Sequence, residues 1–103
     1  MGEKTFDIEL KDGKYALKFD NRALYRFEEL HGQSATTVMV RDPGSVRAIN
    51  HFLWAGLLHE HPDLSVADVI DNVDSRRLKE YVDTISQAIN AAFDTGEKAE
   101  KKK

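Results

Sequence analysis

The sequence predicts an α+β fold in which an N-terminal β-hairpin packs against a bundle of about four helices. Two apolar runs of period two, over residues 6–10 and 15–19, stand on either side of an Asp-Gly pair. From residue 24 onward the apolar residues recur at spacings of three and four instead, which is the helical period. Capping residues, Gly and Pro divide that region into separate helices.

In the first run Phe6, Ile8 and Leu10 alternate with Asp7 and Glu9, and in the second Tyr15, Leu17 and Phe19 alternate with Ala16 and Lys18. Successive side chains of a strand point to opposite faces, so each run presents one apolar face. Asp12-Gly13 suits the positive φ angles of a two-residue type I′ turn, which predicts an antiparallel pair. A lone hairpin is marginal in water, and helices must cover its apolar face.

Asp20 or Asn21 is placed to cap the first helix, with Leu24, Phe27 and Leu30 or His31 at helical spacing and Gly32 at its end. Residues 33–44 break this period. Val38, Met39 and Val40 are too few for a secure strand, Asp42-Pro43-Gly44 is a turn signal, and a mobile loop is expected there. Ser45 caps a central helix whose Val46, Ile49, Leu53 and Leu57 mark one face, widened by Phe52, Trp54 and Leu58, with Pro62 stopping it after His59-Glu60-His61. Ser65 and Asp68 form a capping-box pattern for a short helix with Val66, Val69, Ile70 and Val73 inward. After Ser75, an amphipathic helix from Arg76 to Phe93 carries Leu78, Tyr81, Val82, Ile85, Ala88, Ile89, Ala92 and Phe93.

With 41% apolar and 32% charged residues the chain belongs with globular domains, and its 103 residues fit one core. The expected organisation is a single domain over residues 1–94 and a disordered charged tail over 95–103. No apolar run approaches the ~18–20 residues that span a bilayer, and Met1-Gly2-Glu3-Lys4 leads into no apolar signal segment, so no membrane partner is expected. A cytosolic location follows from the same reading. Cysteine is absent, which leaves packing to stabilise the fold. Residues 1–94 hold 11 Lys/Arg against 16 Asp/Glu, net −5, and residues 95–103 hold 4 Lys against 2 Glu, net +2. An acidic body lacks the broad basic face that drives nucleic-acid binding, so no nucleic-acid partner is expected either.

Catalysis requires polar groups converging in a pocket, and the histidines are the first candidates. A metal reading would use His51, His59 and His61, but residues 59 and 61 point about 200° apart on a continuing helix and a fourth ligand is missing. The plainer reading is a polar helix C-terminus. Asp63, Asp68, Asp71 and Asp74 lack calcium-loop spacing and read as caps and a solvated face. With no Gly-rich phosphate loop, no Ser/His/Asp order in strand-turn-helix context and no Cys nucleophile, the chain is expected to be no enzyme and to need no cofactor. The residues that remain are candidates for binding a partner: Ile8 and Glu9 on the hairpin, whose outer edges invite strand addition or self-association, and Trp54, His59 and His61. For Trp54 the plainer role is core packing. Gly56, at a cost of ~1 kcal/mol relative to Ala inside a helix, signals a close backbone approach.

Phe6-Asp7-Ile8-Glu9-Leu10, Tyr15-Ala16-Leu17-Lys18-Phe19, Asn21-Arg22-Ala23-Leu24 and Phe27-Glu28-Glu29-Leu30, followed by Gly32, are similar to the N-terminal half of the small tail-assembly chaperones of long-tailed phages and gene transfer agents. Ser45-Val46-Arg47-Ala48-Ile49 followed by Phe52 to Ser65 resembles the segment in which that family carries Leu-Trp-Ala-Gly-Leu-x-His-Glu-x-Pro, and the specific part is Trp54-Ala55-Gly56-Leu57-Leu58-His59-Glu60-His61-Pro62. The resemblance spans nearly all of residues 5–94, and only residues 33–44 match nothing in it. It implies a non-catalytic chaperone, in the cytoplasm of a bacterial host, that binds the tape-measure protein while tail-tube subunits assemble. The alternative it leaves open is a structural virion component such as a tail-tube or connector protein. In related phages a longer form arises by ribosomal frameshifting, for which codons of Lys101-Lys102-Lys103 would be the slippery run, while the plainer reading of the tail is a solubilising end.

Overall fold

The computed structural model describes residues 4–93, in the order β1 (Phe6–Leu10), β2 (Gly13–Leu17), α1 (Asn21–His31), α2 (Ala35–Arg41), α3 (Val46–Leu57), α4 (Val66–Asn72), a single 3-10 turn (Ser75–Arg77) and α5 (Leu78–Phe93). The fold is α+β: an antiparallel hairpin packed against five α-helices rather than about four. The charged tail of residues 95–103 lies outside the described residues.

Phe6 stands opposite Leu17, Ile8 opposite Tyr15 and Leu10 opposite Gly13, so the two apolar faces coincide. Ile8, Leu10, Leu17 and Phe19 are buried, and Phe6 and Tyr15 pack half-buried at the margin of the core. The turn differs from the type I′ expectation. In this register Lys11 and Asp12 are its central residues, and among the described residues no side-chain-bearing residue has positive φ. A Cβ makes that region costly, so Gly13, one position later, takes it up with φ 148°.

The additional helix is α2, within the stretch expected to be a loop. Ser34 accepts the Thr37 N–H as its N-cap, and Ala35, Val38 and Met39 turn one face to the core, the first two fully. Thr36, Thr37, Val38 and Val40 are β-branched and hide the helix from a propensity reading, but burying Ala35 and Val38 overrides that weak preference.

The caps at Asp20, Ser45 and Ser65 are formed as expected, the last as a full capping box with Asp68, and α1 ends at Gly32. Asp74 caps the 3-10 turn that precedes α5, its carboxylate accepting from the Arg76 N–H. In the core the Phe27 ring stacks on Phe52 at 3.9 Å between centroids, and Phe19 meets Phe52 edge-on at 6.1 Å. Leu53, Leu57, Ile85 and Ile89 are buried as expected and Val82 is half-buried.

Several apolar residues expected to face inward are at the surface instead. Val46 and Ile70 are more than half exposed, at 58% and 55%, while Leu30, Ala92 and Phe93 are also exposed. Burial on α3 begins only at Ala48, and on the two-turn α4 only Val69 is fully covered, because a short helix buries a narrow stripe. The close approach expected at Gly56 is present: a Cβ there would lie 2.7 Å from Leu17 Cδ2 and 2.9 Å from Phe19 Cζ, and the Lys18 N–H donates to the Gly56 carbonyl at 3.0 Å. Among the described residues no helix is long and apolar enough to cross a membrane.

Candidate functional site

The central helix ends at Leu57, five residues before Pro62, and the chain from 58 to 64 folds back along it. Both Glu60 and His61 donate their N–H groups to the Leu57 carbonyl, and the Leu64 N–H donates to His61. Two side chains fix this segment. The Trp54 indole N–H donates to the Leu64 carbonyl at 2.8 Å, and His59 Nε2 lies 2.8 Å from the Ala16 carbonyl of β2. A carbonyl only accepts, so His59 carries its proton on Nε2.

The fold-back leaves a cleft of about 170 Å³ against α1. Trp54, Leu58 and Leu64 are its half-buried apolar lining, and Arg22, Arg26 and Asp20 come from the facing segment. Asp20 is engaged locally, accepting the Ala23 N–H at 2.9 Å and lying 3.9 Å from Lys18 Nζ. Arg22 and Arg26 are exposed and form no ion pair with another described residue.

Of the five residues read as partner-binding, the structure brings Trp54 and His59 together at this cleft. His61 lies elsewhere, exposed, with its ring edge-on to Tyr15 at 5.3 Å. The Ile8 side chain is 6% exposed and belongs to the core, so a partner reaches it only through the backbone. Glu9 is exposed, 3.9 Å from an Arg77 guanidinium nitrogen, and its carbonyl accepts from the Tyr81 hydroxyl at 2.8 Å.

Both outer edges of the hairpin are partly occupied from within. In an antiparallel ladder every second residue turns its N–H and C=O away from the partner strand. On β1 the Glu9 carbonyl is taken by Tyr81 and the following Lys11 N–H by the Asn72 carbonyl. On β2 the Ala16 carbonyl is taken by His59 and the Lys18 N–H by Gly56. Such contacts break the uninterrupted row that strand addition uses.

His51 is not with His59 and His61. It is buried, and its Nδ1 lies 2.9 Å from Nδ1 of His31, whose ring stacks on Phe27. Burial holds both imidazoles below their ordinary pKa; Arg47 lowers both further, His31 lowers His51, and Asp42 acts in the opposite sense on His31. Among the described residues no group of three or more His, Cys, Asp or Glu converges as a metal site.

Sequence reasoning missed Arg22 and Arg26. Their signal was present as two cations four residues apart flanking the core-facing Ala23, but nothing local told which face of α1 would oppose Trp54. No protein-family model, curated protein or solved structure matches the chain.

Proposed function

We propose that this protein is a tail-assembly chaperone of a phage, prophage or gene transfer agent, a non-catalytic module that binds the tape-measure protein in the bacterial cytoplasm while the tail tube assembles. The observation that carries the reading is the role of the residues behind the resemblance. Trp54, Leu58, His59 and Pro62 line the cleft, and Gly56 sets the hairpin against α3. The polar tips of Trp54 and His59 are spent on internal carbonyls, so this segment shapes a surface, and a chaperone acts through surfaces rather than reacting groups.

Co-expression with the tape-measure protein of the same tail gene cluster tests this directly. The tape measure is expected to stay soluble and to co-purify when the chain is present and to aggregate when it is absent. Equal solubility with and without the chain would refute the role. Purified tails are expected to lack the chain; its presence there in tail-tube stoichiometry would replace this reading with that of a structural virion component.

A further inference from the structure

We propose that the Trp54 cleft docks an acidic peptide segment, with one large apolar side chain of the partner seated against Trp54, Leu58 and Leu64 while adjacent carboxylates pair with Arg22 and Arg26. The inference rests on the reading of the chain as a partner-binding module and names the chemistry of what is bound.

The charge at this site runs against the rest of the chain. Residues 1–94 carry net −5, and while Arg41 and Arg47 form no ion pair with a described residue, Arg76 and Arg77 find internal carboxylates, Asp74 at 3.2 Å and Glu80 at 3.1 Å. Arg22 and Arg26 do not, although Asp20 lines the same cleft, because Asp20 is committed to the α1 cap and lies beside Lys18. Two guanidinium groups are thus left without a described carboxylate in a body rich in carboxylates. They sit one helical turn apart, so their side chains are neighbours on one face of α1, each a planar fork suited to a carboxylate. Ala23 beside them is buried and anchors that face of the helix to the core.

The apolar half of the site is equally specific. The Trp54 N–H is already bonded to Leu64, so the ring offers apolar surface to the cleft with no unmet donor. A volume of about 170 Å³ accommodates a single large side chain, since an apolar cavity of about 150 Å³ holds a benzene-sized group. Trp and Arg, side by side, are the residue types that dominate binding hot spots. The net negative charge of the body disfavours an acidic partner at its carboxylate-rich surfaces while Arg22 and Arg26 favour it here, which orients the docking as well as strengthening it.

Trp54 is the sole tryptophan of the chain, so its emission reports on this cleft alone. The full chain is titrated with three short capped peptides: Glu-Glu-Leu-Ile-Glu-Glu, the same peptide with Gln for every Glu, and the same with Lys. The acidic peptide is expected to shift the emission saturably. The Gln peptide should bind about tenfold or more weakly, the loss set by charge-assisted hydrogen bonds, and the Lys peptide should not bind. The variant R22Q/R26Q is expected to abolish the acidic-peptide response while keeping the circular dichroism spectrum and melting temperature of the parent, because both side chains are exposed. Equal responses to the acidic and Gln peptides, an unchanged titration of R22Q/R26Q, or no response to the acidic peptide at millimolar concentration would each overturn the proposal. Emission that changes with protein concentration alone would overturn it too, by assigning the cleft to a second copy of the chain. Tape-measure solubility is read separately, so its failure would remove the chaperone role and leave the cleft chemistry standing.

Discussion

Gly56→Ala separates two opposing effects at the contact between α3 and the hairpin. Alanine is better than glycine inside a helix by ~1 kcal/mol, so propensity alone predicts a more stable protein. The new methyl, however, would sit 2.7 Å from Leu17 Cδ2 and 2.9 Å from Phe19 Cζ, inside any real carbon contact. Neither neighbour has room to give way, since Leu17 is 0% and Phe19 5% exposed. Retreat of the strand would stretch the 3.0 Å bond from the Lys18 N–H to the Gly56 carbonyl. Overpacking of this kind costs ~1–3 kcal/mol, which set against the helical gain of ~1 kcal/mol leaves a net destabilisation centred on about 1 kcal/mol. For a domain of this size that lowers the melting temperature by roughly 4–8 °C per kcal/mol, measurable by calorimetry. The double variant identifies the mechanism. In a Leu17→Ala background the nearer obstruction is gone and the space it leaves lets the Phe19 ring shift, so Gly56→Ala is expected to cost less than in the parent chain. A rise in melting temperature for Gly56→Ala in the parent chain would refute the reasoning, and an equal loss in both backgrounds would show that Leu17 is not the obstruction.

Two further outcomes are expected. Because burial holds His31 and His51 below the ordinary histidine value of ~6.5, the unfolded chain takes up protons first as the pH falls; their stabilisation is present above that pH and is lost on acidification toward their folded values. Melting temperature should therefore drop between about pH 7.5 and 5.5, and the drop should shrink in H31Q/H51Q, an identical slope in the variant excluding the pair as its source. Tyr81→Phe removes a buried hydroxyl that donates to the Glu9 carbonyl and accepts from the Asp74 N–H, and should cost ~1–3 kcal/mol in urea unfolding. Faster hydrogen exchange at Asp74 is its companion sign, and unchanged exchange there would argue against the bond.

Local chemistry alone determined much of this protein. The hairpin pairing follows from period-two alternation, three helix starts from the oxygen side chains of Asp20, Ser45 and Ser65, and the tight approach at Gly56 from the cost of glycine in a helix. Each of these is set by a few neighbouring residues, which is why it was legible. What needed the tertiary structure was whatever depends on which faces meet. α2 forms despite its β-branched residues because Ala35 and Val38 find the core, and Ile70 stays outside because α4 covers only the stripe through Val69. His51 pairs with His31, twenty positions earlier, and His59 spans to Ala16 rather than joining His61. The cleft is of the same kind: Arg22 and Arg26 oppose Trp54 only because α1 packs on α3 and residues 58–64 fold back. A helix period tells which residues share a face, but the partner of that face is chosen by packing among segments distant in the chain, where burial of apolar area outweighs the small local preferences a sequence displays.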